Sequence, residues 1–222
     1  MSLKPQRPNR LKKGRDQRPK RRLRLGGYLI ITDSEKTEEN YFKGLRESIP
    51  AECSRDLQIK IFSKRELKHI VHFAEQERNR DERFRNVWLI FDRDEVPDFN
   101  DIIAQAEDAN MHVGWSNPCF EIWLSAYFGE MKPSPHSKGC IADFAKLLRK
   151  YTGKEEYHKS EEILYKLLLE SGDEKRAIEI ANRRYNQRKR EYRNPSDMKA
   201  CTTVFQLVQE IREKTDPLKA EG

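Results

Sequence analysis

Asp92 and Asp94 stand one residue apart at the end of V-W-L-I-F-D-R-D-E (87–95), where five apolar residues run straight into carboxylates. A run of β-branched and aromatic residues of that length predicts a fully buried strand. Side chains two apart point the same way while the chain stays extended, so the pair would converge where the strand leaves its sheet. Two like charges held close repel, and a hard cation such as Mg²⁺ between them relieves the repulsion. The ordinary alternative is a pair of solvated turn residues, because Asp is common in turns.

A second acidic stretch tips that balance. T-D-S-E-K-T-E (32–38) follows the short apolar run Y-L-I-I (28–31). In open α/β sheets, ligands bind outside the carboxyl ends of the strands, where the strand order reverses. With the first and third strands as neighbours there, Asp33 would face Asp92 and Asp94 across a crevice. Glu38 would enter from the first turn of the following helix. That much negative charge predicts a Mg²⁺ site, with Mn²⁺ as a substitute, in which Asp92, Asp94 and Asp33 are ligands. Asp33 and Glu38 are the candidates to move a proton, and the chemistry that suits the set is phosphoryl transfer. Glu35, Lys36, Glu95, Asn117 and Glu121 are assigned supporting places around it. Glu121 is the most conspicuous of these, a lone carboxylate in C-F-E-I-W-L-S-A-Y-F (119–128) that must be paired or hydrogen-bonded to be tolerated there.

The elements that must position these residues follow from periodicity. Strands are predicted at 28–31, 57–62, 86–91 and 111–115, alternating with helices over 38–48, 64–79 and 100–109. Ser116-Asn117-Pro118 predicts the start of a buried helix, with Asn117 as its cap and Pro118 in its first position. Strand–helix alternation of this kind predicts a mainly parallel four-stranded sheet covered on both faces, an α/β domain over 26–128. A loop over 129–139 follows. Amphipathic helices over 140–151, 160–171, 174–191 and 200–214 then make a C-terminal helical region, 140–216, packed on the α/β domain.

Charge is divided unevenly along the 222 residues. The chain carries a net +7, yet residues 1–24 hold eleven Lys/Arg and one acid, so the remainder is net −3. The basic arm (1–25) has too few apolar residues to offset the entropy of ordering, which predicts disorder when free; such arms often neutralise phosphates, the alternative being a solubilising extension with no specific partner. A second basic stretch lies in the helix over 174–191, where Arg183, Arg184, Arg188, Lys189 and Arg190 alternate with tyrosines. These are candidate nucleic-acid contacts, weighed against a solvated helix face. The four cysteines form no C-x-x-C, which argues against a structural zinc site and for a reducing compartment. No apolar run is long enough to span a membrane, so a cytoplasmic protein without a membrane partner is expected. Self-association is left open.

The three blocks L-I-I-T-D-S-E-K-T-E-x-N-Y-F-K-G-L (29–45), V-W-L-I-F-D-R-D-E (87–95) and S-N-P-C-F-E-I-W-L (116–124), with N-P-S at 194–196, resemble the signature blocks of RloB-like proteins. The resemblance spans about residues 28–211 and implies a Toprim-like domain. In that module a Glu after the first strand and a D-x-D after the third organise Mg²⁺. By position, Asp92 and Asp94 are the D-x-D, Asp33 takes the place of the glutamate, and Glu38 resembles the second acid of the nuclease-type variant. This chain departs from the usual T-E-G, having Thr32-Asp33-Ser34. The resemblance further implies nuclease activity on DNA or RNA in bacterial phage defence (abortive infection), together with a separately encoded ABC-type ATPase. No G-x-x-x-x-G-K-[ST] motif occurs here, so ATP hydrolysis by that route would come from the other subunit. Two alternatives stand beside this reading. One is a catalytically decayed Toprim-like nucleic-acid-binding or sensor subunit. The other is a haloacid-dehalogenase-type phosphatase, suggested by F-D-R-D-E-V (91–96), although that chemistry needs its D-x-D on the first strand.

Overall fold

Alternate residues of the two central strands enter different cores. Tyr28, Ile30, Trp88 and Ile90 fall in one apolar cluster, and Leu29, Ile31, Val87, Leu89 and Phe91 in the other. Strands buried on both faces read as continuous apolar runs, which is why these two were visible in the sequence. The structure is a computed structural model and describes residues 26–34, 36–54, 57–63, 66–94 and 96–216. The basic arm, Glu35 and Glu95 therefore lie outside the described residues.

The elements run β1 (Gly26–Thr32), α1 (Thr37–Glu47), the single turn α2 (Ala51–Ser54), β2 (Leu57–Ser63), α3 (Ile70–Arg80), β3 (Asn86–Asp92), α4 (Phe99–Asp108), β4 (His112–Asn117) and α5 (Glu121–Ala126). Then come α6 (Ser137–Thr152), α7 (Leu164–Ser171), α8 (Glu174–Glu191), a two-residue strand β5 (Cys201–Thr202) and α9 (Val204–Thr215). The sheet order is β2-β1-β3-β4-β5, with β1 through β4 parallel and β5 antiparallel to β4. This is the α/β architecture expected of a Toprim-like domain, with one short strand added at its edge.

Helix α1 lays Tyr41, Phe42 and Leu45 on one face of the sheet, while α3 and α4 lay Ile70, Ala74, Phe99 and Ile102 on the other. The connection leaving β1 thus runs over one face toward β2, and the connection leaving β2 returns over the opposite face to β3. The strand order reverses between β1 and β3, and in open α/β sheets ligands bind above the carboxyl ends at such a reversal.

The C-terminal helices join the α1 face. Leu164 and Leu168 of α7, Ala177 and Ala181 of α8 and Val204, Leu207 and Val208 of α9 belong to the same cluster as α1 and α5. Thr203 completes the edge begun by β5: its amide donates to the Trp115 carbonyl at 2.9 Å, and its hydroxyl accepts from the Trp115 amide at 3.0 Å. A strand of two residues has no period to detect, and the helix expected over 200–214 begins only at Val204.

One glycine position is dictated by close approach. A Cβ at Gly27 would lie 2.1 Å from the Arg83 carbonyl oxygen, in the turn that feeds β3. Backbone cannot yield as a side-chain tip can. Gly27→Ala is expected to destabilise the protein by about 2 kcal/mol, read as a lower urea midpoint with unchanged slope.

Candidate active site at the switch point

Asp33 is the first residue after β1 and Asp92 the last of β3, so adjacent parallel strands deliver them side by side. The Asp33 amide continues the ladder to the Ile90 carbonyl at 3.0 Å, and the Asp92 amide donates to Asp33 Oδ2 at 3.3 Å. Glu38, in the first turn of α1, is buried, and the Ser34 hydroxyl donates to its Oε2. Glu121 opens α5 and is fully buried. Four carboxylates thus come into electrostatic reach of one another, from β1, α1, β3 and α5.

Burial and mutual repulsion shift these acids together. Burial first, then the Glu38 charge, push the Asp33 carboxyl up to about 7. Glu38 is raised by burial, aided by Glu121 and opposed by the Ser34 hydroxyl. Asp92 is raised well above the usual carboxylate range by burial and by the charges of Glu38, Asp33 and Glu121. One carboxylate oxygen on each of Asp33, Asp92 and Glu121 is buried with no hydrogen-bond donor among the described residues. Acceptors without donors, in a group of like charges, are the environment a hard cation relieves.

The countercharge comes from a stretch the sequence reading did not single out. Tyr157 OH donates to Glu121 Oε1 at 3.0 Å and meets the Thr37 hydroxyl at 3.1 Å. Lys159 Nζ stands 3.7 Å from Glu121 Oε1, and its carbonyl accepts from the Thr37 hydroxyl at 3.3 Å. Burial works against the Lys159 ammonium, but Glu121, Glu38 and Asp92 outweigh it and raise its pKa. The segment carrying Tyr157 and Lys159 is thereby fastened over the first turn of α1 and the start of α5. No periodicity or motif marks it. A lone Tyr and Lys in a polar connection are ordinary surface residues until the fold brings them to Glu121.

Two expected members stand elsewhere. The chain leaves extended geometry after Asp92, and Asp94 has a φ of +22° and is exposed. Its Oδ1 accepts from the Ser137 hydroxyl at 2.7 Å, at the start of α6, and it lines a neighbouring cleft. The convergence expected of the D-x-D required an extended strand through position 94, and the turn removes it. Among the described residues, no three Asp, Glu, His or Cys side chains are close enough to form a ready ligand set. Asn117 does not cap a helix; it ends β4, and its amide donates to the carbonyls of Ser196 at 2.9 Å and Pro195 at 3.4 Å. The capping motif was read locally, whereas pairing with β5 prolongs β4 to Asn117 and delays α5 until Glu121. Lys36 is exposed at the N-cap position of α1, where its amide donates to the Ser34 hydroxyl at 3.3 Å.

Of the basic residues on α8, Arg183, Lys189 and Arg190 are exposed. Arg184 donates to the Met131 carbonyl at 3.2 Å and so ties α8 to the chain after α5, while Arg188 pairs with Glu191 at 2.8 Å along the same helix. Tyr185 packs edge-on to Trp115 at 6.3 Å and against Phe205 at 6.1 Å, which leaves it part of the packing and not a free stacking platform. Tyr192, by contrast, is an exposed ring. Among the described residues no helix is long and apolar enough to cross a membrane.

A family model described as RloB-like protein matches residues 28–211, a span that holds all of the sheet but the first two residues of β1, the four acids, the Tyr157–Lys159 segment and α8. No curated protein and no solved structure matches the chain.

Proposed function

The chain belongs to the RloB-like family, and from that premise and its acidic switch point we propose that it is a Toprim-like, Mg²⁺-dependent nuclease. In this reading it cleaves phosphodiester bonds in nucleic acid during bacterial phage defence, with a separate ABC-type ATPase as partner. The observation that carries the proposal is the group of four carboxylates above β1 and β3, three of them with a buried oxygen that has no donor among the described residues.

The partnerless carboxylate oxygens of Asp33 and Asp92 support a metal held by two acids, with no third protein carboxylate in place among the described residues. Asp92 and Asp33 would hold Mg²⁺, or Mn²⁺ in its place, with waters and a substrate phosphate completing the shell, since Mg²⁺ is commonly held by one or two carboxylates. When bound, the ion supplies charge stabilisation to the phosphate oxygens. The protein's own residues supply the rest. With Asp33 ionised on the ion, the proton of an attacking water would pass to Glu38, whose pKa burial raises, and from there to the leaving oxygen. Glu38 is fixed beside Asp33 by Ser34, and Tyr157 and Lys159 hold Glu121 in place. The exposed Arg183, Lys189 and Arg190 and the basic arm would bind the phosphate backbone on approach.

The test is a calorimetric titration with Mg²⁺ and Mn²⁺, alongside cleavage assays on DNA and RNA with the ATPase subunit supplied. Binding heat that disappears in Asp92→Ala, together with metal-dependent cleavage, is the expected result. Neither heat nor cleavage in the wild type would favour the decayed sensor instead. A second expectation concerns the departure from T-E-G. Asp33→Glu restores the longer carboxylate and should maintain or raise the cleavage rate. A tenfold loss would show that the site has been rebuilt around the shorter acid.

A further inference from the structure

A cleft of about 760 Å³ opens beside the acids, on the side to which Asp94 turns. Its charged lining is Arg93, Lys138, Lys159 and Lys199 against the single carboxylate of Asp94, with His136 at the same wall. These cations come from four separate stretches of chain: the exit of β3, the first turn of α6, the segment before α7 and the approach to β5. A solvated helix face collects charge from one element, so convergence from four calls for a different account.

Arg93 is partly committed, since its guanidinium donates to the carbonyls of Asp94 at 2.9 Å and Val96 at 3.0 Å. Lys138, Lys159 and Lys199 are exposed along the cleft. Lys159 belongs to both places, lining the cleft while its ammonium stands 3.7 Å from Glu121. Among the described residues no Phe, Tyr or Trp side chain lines the cleft, so it offers no platform for stacking bases. Its volume is that of a pocket for one or a few nucleotides, which favours a strand end over a duplex as its occupant. The chemistry left for recognition is charge on phosphates.

We propose that this cleft is a phosphate-backbone subsite for a single-stranded nucleic-acid end, held by Lys138, Lys159 and Lys199, with Lys159 guiding the strand to the acids. The inference rests on the nucleic-acid reading above but not on cleavage. Lys159 acts as a positioning residue, because it bridges the strand in the cleft and the carboxylates that would act on it.

The experiment measures binding by the full chain in EDTA, using fluorescence anisotropy with a short oligothymidylate and with a hairpin duplex. Lys138→Ala/Lys199→Ala should weaken single-strand binding by about tenfold or more and lower the salt slope by about one per lysine. Duplex binding should hold, because duplex would meet only the arm and α8. Lys159→Met should weaken single-strand binding similarly, and Lys159→Arg should restore most of it. Unchanged single-strand affinity in the double variant, or an equal loss for duplex, would overturn the subsite. Parallel cleavage with Mn²⁺ separates the two readings. Lysine-dependent binding without wild-type cleavage would leave the subsite standing and sink the nuclease. Cleavage with lysine-independent binding would do the reverse.

Discussion

Asp92→Asn should lower cleavage about a thousandfold while making the metal-free protein more stable, an opposition of signs that a merely structural aspartate would not show. In the proposed mechanism the activity loss follows from removing a charged metal ligand, on the scale of losing a principal electrostatic group. The stability gain follows from the direction of its pKa. Burial and three neighbouring acids hold the folded-state pKa of Asp92 well above its unfolded value. The stabilisation associated with a raised carboxyl is present below the unfolded pKa, near 4, and is lost as pH rises through the folded pKa. Wild type should therefore lose stability progressively above about pH 4, while the asparagine variant is spared Asp92's share. In EDTA the melting temperatures should coincide in acid and separate by a few degrees at pH 8, with the variant higher. Saturating Mg²⁺ should narrow or invert the gap, because only wild type gains stability from binding the ion. Calorimetric melts from pH 4 to 8, with and without metal, check this. A variant that melts lower at pH 8 in EDTA would show that Asp92 is held by partners and not repelled by them.

Glu174→Ala should cost about 3–5 kcal/mol and lower the melting temperature by on the order of 10 °C. Glu174 begins α8 and gathers four elements. Arg212 Nε of α9 donates to its Oε1 at 2.6 Å. Tyr165 OH of α7 donates to its Oε2 at 2.6 Å, and Tyr127 OH, just after α5, does so at 3.0 Å. Tyr127 in turn meets Tyr41 OH of α1 at 2.7 Å, and Arg212 also donates to Tyr165 OH. Removing the carboxylate leaves a half-buried guanidinium and two hydroxyls without their acceptor, and an orphaned charge costs more than the pair is worth. A double-mutant cycle with Arg212→Met should accordingly show strong coupling, the double variant losing less than the sum of the two single losses. Urea melts supply both numbers. Additive losses would mean that the network is peripheral. Because α8 would loosen with it, weaker nucleic-acid binding should accompany the stability loss.

The relation of sequence to site is clearest at Asp33 and Asp92. Each stands at the end of a continuous apolar run of strand length, directly for Asp92 and one residue on for Asp33, so their strand-end positions could be read from local pattern. Parallel pairing of β1 with β3 then made them neighbours, and the first turn of α1 brought Glu38 with them. Glu121 was conspicuous for the same reason, a charge where its surroundings permit none unpaired.

What local pattern could not hold was everything that depends on where the chain returns. Glu121 needed partners, and these are Tyr157 and Lys159, more than thirty residues downstream in a segment without periodicity. Asp94 sits two residues from Asp92, yet the turn after β3 and the hydroxyl of Ser137 place it in the lining of the cleft. Asn117 carried a helix-cap signature, but pairing with β5 made it the end of a strand. Tyr185 alternated with arginines as a base-stacking residue would, and packing against Trp115 and Phe205 claimed it for the core. A sequence records the period of its backbone because that period is set by neighbours along the chain. Which side chains meet is set by loop closure and packing between distant segments, and only the folded chain decides it.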